Sequence, residues 1–137
     1  HLAEFSDATI LHIMAGRENN SDIILDLVKR FPDLLESTDL QNRTPIFWAV
    51  TNNKIKNIEI LLSLGANLEH KDIRDCTPLY SSITTVNMDI FKFLISNNAN
   101  PNIQNEIGRT PLMKSSIFIS IFMQKRNCGI FIKFTKY

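Results

Sequence analysis

The dipeptide Thr-Pro returns at Thr44-Pro45, Thr77-Pro78 and Thr110-Pro111, at successive intervals of 33 residues. Thr9-Ile10-Leu11-His12 opens a related word 35 residues before Thr44. Other words keep the same phase. Leu61-Leu62-Ser63-Leu64-Gly65-Ala66-Asn67 matches Leu94-Ile95-Ser96-Asn97-Asn98-Ala99-Asn100, and Asp39, Asp72 and Asn105 each stand five residues ahead of a threonine. Several independent words in one phase mark an internal repeat. A period of this length builds a stack of small units, each burying its apolar face against its neighbours, rather than one globular core.

Each word has a local physical reading. Threonine before proline starts a helix, because the hydroxyl can accept from an orphan N–H and proline has no N–H to leave unpaired. The pattern predicts a short helix after each Thr-Pro, for instance Pro45 to Asn52. A polar break follows, and then a second helix such as Asn57 to Leu64 with an Ile58, Leu61, Leu62 face. Gly65 reads as a helix stop that takes the left-handed conformation at little cost, and Asn98 stands in the same place. The extended segment that follows closes in a turn at Asn42, Asp75 or Gly108, residue types suited to turn backbone. The first unit carries about two extra residues, placed most simply in Gly16-Arg17-Glu18-Asn19-Asn20 between its helices.

Over about residues 5–116 these words resemble the ankyrin repeat, a β-turn finger followed by two antiparallel helices. The resemblance implies an all-α repeat solenoid of helix-turn-helix units joined by β-turn fingers. The units would run about 5–38, 39–71, 72–104 and 105–116, the last one partial. The family's Thr-Pro-Leu-His word survives as Thr9-Ile10-Leu11-His12, then becomes Thr44-Pro45-Ile46-Phe47, Thr77-Pro78-Leu79-Tyr80 and Thr110-Pro111-Leu112-Met113. In the family this histidine bridges neighbouring loops by hydrogen bonds. Phe47 and Met113 can only pack, which is expected to weaken the array.

After Ser116 the phase is lost. A regular fourth unit would place its Leu-Leu pair where Asn127 and Cys128 stand. Residues 117–137 form an irregular apolar and basic segment. No acid follows Glu106, whereas Arg109, Lys114, Lys125, Arg126, Lys133 and Lys136 do. Residues 1–108 therefore carry 9 basic and 14 acidic groups, about −5, although the whole chain is formally +1. Three readings fit this tail: a cap on the end of the stack, a terminus with no selected role, or a segment that meets a membrane surface or nucleic acid.

Composition narrows the remaining classes. An apolar fraction of 44% in 137 residues is too high for a disordered tail. No apolar run approaches the ~18 residues of a membrane-spanning helix. Cys76 and Cys128 make no disulfide framework, the opening resembles no signal peptide, and a cytoplasmic or nuclear location is expected. The start at His1 suggests a fragment of a longer protein. His1, His12 and His70 lie far apart, the four glycines are isolated, and no nucleophile or metal-ligand spacing appears. Catalysis, a cofactor, a metal and a small-molecule substrate are therefore not expected.

The resemblance instead implies a monomeric module that binds another protein through its fingers and first helices. The matching positions are Leu40, Gln41 and Arg43 on the first complete finger. Ile73, Arg74 and Cys76 lie on the next, then Glu106, Ile107 and Arg109. Thr51 and Asn52, then Thr84 and Thr85, come from the first helices, and Lys71 stands at the base of a finger. Each tip thus offers one aliphatic residue and one arginine, a pairing suited to an acidic partner surface. The three arginines are expected to be replaceable together without unfolding the array. The alternative for Ile73 and Ile107 is packing between fingers, and Trp48, whose phase allows either, is expected to pack rather than to anchor a ligand. Two narrower functions stay open: a targeting or substrate-recognition segment of a larger enzyme, adaptor or channel, and an inhibitor of Rel-type transcription factors, whose fingers Asp72-Ile73-Arg74 resembles.

Overall fold

A computed structural model describes residues 7–83 and 88–116. Helices come in pairs. The first pair is α1 (Ile10–Ala15) and α2 (Ser21–Arg30), followed by a 3₁₀ turn at Pro32–Glu36. The second is α3 (Pro45–Thr51) and α4 (Ile55–Ser63), and the third is α5 (Pro78–Ser82) and α6 (Asp89–Ser96). Residues 111–116 are helical, α7, and the described residues contain no strand. The first helices stack as one row, α1 on α3 on α5, and α2 stacks on α4 behind them. Residues 117–137, and with them every reading of the tail, lie outside the described residues.

The core follows from the repeat. Leu11, Ile24, Ile46, Phe47, Ile58, Leu61, Leu79, Ile90 and Leu94 are shut off from solvent, and all belong to one contiguous apolar cluster. The turn words do what their chemistry suggests. Gly65 and Asn98 end α4 and α6 at φ +96° and +67°, and the finger tips Asn42, Asp75 and Gly108 stand at +58°, +59° and +79°. All five sit where asparagine, aspartate and glycine are the residues that tolerate the backbone. Asn19, in the longer first interhelix loop, is also left-handed at +59°.

The second helix of the middle unit begins earlier than its sequence suggests. Asn57 is not at its start but buried within α4. The break falls on Asn53, at φ +61°, and the Lys54 N–H turns back to the Ala49 carbonyl at 2.9 Å. Asn57 has a different task. Its side-chain amide donates to the Ala15 carbonyl at 2.9 Å and the Arg17 carbonyl at 2.6 Å, pairing groups that the end of α1 leaves without helical partners.

The replacement of the family's histidine also has a visible consequence. In the first unit, Thr9 Oγ1 lies 2.9 Å from His12 Nδ1. In the second, Phe47 fills the equivalent place with buried hydrocarbon, its ring edge toward His70. Thr44 Oγ1 is left buried with no partner. Thr77 and Thr110 do cap their helices, accepting from the Tyr80 N–H at 3.4 Å and the Met113 N–H at 3.2 Å. Met113 is exposed rather than packed within the described residues.

An unpaired buried hydroxyl costs about 1–3 kcal/mol, and removing a useful cap costs about 1 kcal/mol. Thr44→Val is therefore expected to stabilise the chain by about 1 kcal/mol and Thr77→Val to destabilise it by about 1 kcal/mol. Urea midpoints of the two variants beside the parent chain check the opposite signs.

Candidate functional site

One turn is built three times. In the first finger the Asp39 N–H donates to the Arg43 carbonyl and the Asn42 N–H to the Asp39 carbonyl, both at 3.0 Å. Asp39 Oδ1 accepts from the backbone N–H groups of Gln41 and Arg43, each at 2.9 Å. Asp72 repeats this with Arg74 and Cys76, and Asn105 repeats it with Ile107 and Arg109. The side-chain oxygen does the work, so an amide serves as well as a carboxylate.

Neighbouring fingers are then joined through their backbones. The Ile73 N–H donates to the Gln41 carbonyl and the Glu106 N–H to the Arg74 carbonyl, both at 3.0 Å. Asn42 adds its amide to the Lys71 carbonyl at 2.8 Å, and His70 Nε2–H donates to the Asn42 carbonyl at 2.8 Å. At the base of the fingers, Glu36 accepts from the Asn67 N–H at 2.9 Å and Glu69 from the Asn100 N–H at 3.2 Å. These two glutamates stand 33 residues apart, a periodic signal that the repeat words do not contain.

The aliphatic side chains take no part in this closure. Leu40, Ile73 and Ile107 are 62%, 60% and 65% exposed, on backbones that hydrogen bonds hold in place. Ile107 occupies the register of Gln41 and Arg74, one position beyond that of Leu40 and Ile73, so the apolar stripe steps sideways at the third finger. Gln41, Thr51, Asn52, Lys71, Arg74, Glu106 and Arg109 are exposed as well. Thr84 and Thr85 lie outside the described residues.

Two of the sequence-chosen contacts prove structural. Cys76 is 8% exposed, its thiol directed to the Arg74 carbonyl at 3.8 Å. Burial, and then the charge of Asp72, push its pKa up, which leaves an inert thiol. Arg43 is bound to the buried Asp39, with Nε 3.1 Å and Nη2 3.0 Å from Oδ2. Its guanidinium also lies 5.8 Å from the Trp48 ring centroid. Arg43 is thus not interchangeable with the exposed Arg74 and Arg109, and replacing all three together would leave a buried carboxylate unpaired. Asp72 is occupied by its own turn, which leaves Ile73 and Arg74 as the exposed part of the Asp72-Ile73-Arg74 word.

Trp48 ties this corner to the inner helix row. Its indole N–H donates to Asp39 Oδ2 at 2.9 Å, and its ring meets His12 edge-on at 5.6 Å. The rest of the ring lines a shallow depression of about 220 Å³ with Ile13, Gly16, Arg17 and Asn52. Burial pushes the Asp39 carboxyl upward. The Arg43 N–H, the Trp48 indole, the Arg43 charge and the Gln41 N–H outweigh it and hold the group below the usual carboxylate range. His12 is the bridge between units: Nε2–H donates to the Arg43 carbonyl at 2.8 Å, while Nδ1 accepts from the Thr9 N–H at 3.0 Å. Burial lowers its pKa, outweighing the Arg43 carbonyl bond and the Asp39 charge, which both favour the protonated ring.

Stacked helix pairs joined by hydrogen-bonded fingers define a helical repeat protein. The family model of the ankyrin repeat matches residues 41–73 and 74–106, and these two units are ankyrin repeats. Ankyrin repeats are in general protein–protein interaction modules. No curated protein sequence matches the chain. Among the described residues, no group of three or more His, Cys, Asp or Glu could hold a metal ion.

Asp39→Ala would leave Arg43 and the Trp48 indole without their shared acceptor and open the first finger. A loss of about 3 kcal/mol is expected, the scale of breaking a buried charge pair, and chemical unfolding measures it. His12 sets a pH limit. A histidine held neutral in the fold contributes stability that is complete above its unfolded pKa of about 6.5. That contribution falls as pH drops below 6.5 toward the lower folded value. Unfolding curves between pH 7.5 and 5 should show the decline, and His12→Gln, which does not titrate, should flatten it.

Proposed function

We propose that the chain is a non-catalytic recognition module that binds another protein across its finger tips and inner helix row. The observation that carries this reading is the pairing of three exposed aliphatic side chains with immobilised backbones. Leu40, Ile73 and Ile107 stand in solvent on turns that are closed internally and tied to one another. Apolar side chains held in place give up little conformational freedom on binding, so their burial goes largely into affinity. Arg74 and Arg109 beside them supply charge at the rim. The family's general role in protein binding supports the same conclusion. With Cys76 a free, inert thiol, the module suits a reducing compartment, cytoplasmic or nuclear, which imaging of the tagged chain tests.

Replacing Leu40, Ile73 and Ile107 together by serine removes the anchors and leaves every finger hydrogen bond in place. The expected result is loss of the proteins that the parent chain captures from its source cell, with an unchanged melting curve. Capture of the same proteins by the triple variant would overturn the reading.

A further inference from the structure

Charge and shape on the inner helix row are specific enough to describe what lies against it. Equivalent positions in stacked units share a face, and Ile13, Trp48, Ser81 and Lys114 are equivalent. One end of this row is the depression under Trp48, walled by Ile13 and Arg17 and floored by Gly16, where an added Cβ would stand 3.0 Å from the Asn52 amide. The opposite end is Lys114, whose half-buried ammonium lies 4.3 Å from the Tyr80 ring centroid and donates to the Tyr80 carbonyl at 3.3 Å. It meets no carboxylate among the described residues, and neither do Arg17, Arg74 and Arg109. Of the two finger aspartates beside this surface, Asp39 is paired with Arg43 and the Trp48 indole, and Asp72 accepts two N–H groups of its own turn through Oδ1. Two exposed carboxylates, Asp75 and Glu106, stand at the finger tips beside Arg74 and Ile107, while Asp22, Asp26, Glu59 and Asp89 are on the second helices.

We infer that the inner row takes an extended acidic segment of a partner protein, with an aliphatic side chain in the Trp48 depression and carboxylates directed at Arg74 and Lys114. This deepens the proposed function and rests on the finger and inner-helix face being the binding face. The register follows from geometry. Packed helices stand about 8–10 Å apart, so two steps from Trp48 to Lys114 cover about 18 Å, while an extended chain advances about 3.3 Å per residue. The aliphatic residue and the carboxylate for Lys114 are therefore about six residues apart, with a second carboxylate about midway for Arg74. A depression of about 220 Å³ is large enough for one branched aliphatic side chain.

The test uses a fluorescein-labelled peptide in which a leucine is followed by aspartates at the third and sixth positions, with serine and threonine between. Trp48 is the chain's sole tryptophan, so its emission reports occupancy of the depression. The peptide should bind the full chain saturably and shift Trp48 emission, and its affinity should fall as salt rises. Serine in place of leucine should weaken binding about tenfold, the worth of one buried aliphatic side chain. Lys114→Gln and Arg74→Gln, each with a parent-like melting curve, should each weaken it about threefold to tenfold, as expected for charge pairs at a rim. A version with lysine in place of aspartate should not bind. Equal binding of that version, tighter binding of a single-stranded oligonucleotide of the same length, or saturation without a change in Trp48 emission would overturn the inference. So would failure of the acidic peptide with a chain that still captures its cellular partner through Leu40, Ile73 and Ile107, a result that leaves the proposed function standing.

Discussion

One oxygen atom in each finger holds the array in its working shape. The side chain five residues before each threonine accepts two backbone N–H groups of its own turn, from Asp39, Asp72 and Asn105 alike. Without that acceptor, those donors would face solvent and the tip would sample other backbone states. With it, the carbonyls of Gln41 and Arg74 are aimed at the next finger, and the units lock in register. The stacking of helices supplies apolar burial. The turn oxygen turns a stack into a surface with fixed side-chain positions.

What could be read from the sequence is what is local. Thr-Pro starts, the Gly65 and Asn98 stops and the left-handed tips depend on residues within a turn of one another, and local preference decides them. What escaped depends on distant partners. Asn57 looked like a polar helix start, but its amide meets carbonyls 40 and 42 residues away. Glu36 and Glu69 carry no local signal of a partner, yet each holds a backbone N–H 31 residues on. The candidate surface was legible in outline, as finger tips and first helices. Its division into free and committed residues was not. Arg43, Arg74 and Arg109 have the same chemistry in sequence, and only the neighbours of each decide whether its guanidinium is available.

The orphan hydroxyl of Thr44 shows how a repeat tolerates divergence. Histidine at the fourth position of the Thr-Pro word couples the threonine to the next finger, as His12 does between Thr9 and Arg43. Phe47 gives up both bonds and gains buried aromatic surface, worth about 1.5–3 kcal/mol on transfer from water. The lost finger contact is made from another direction, by His70 on the Asn42 carbonyl. Each unit needs to be joined to its neighbours, and nothing requires that the joint use the same atoms each time.

The register shared by Arg43, Cys76 and Arg109 then explains why stability and recognition can occupy one surface. All three residues precede the threonine and follow the turn oxygen by four positions, so their side chains leave equivalent backbones. Arg43 is drawn inward because Asp39 carries a charge that its turn bonds do not neutralise, and Trp48 adds a second donor to the same oxygen. Cys76 is small and apolar enough to be buried outright. Arg109 faces Asn105, which supplies the same two acceptor bonds with no charge, and its guanidinium stays in solvent. A single change of functional group, carboxylate to amide, keeps the finger closed and releases the cation. The fingers are in this way graded along the stack, from one whose arginine anchors the array to one whose arginine stands in solvent beside Ile107.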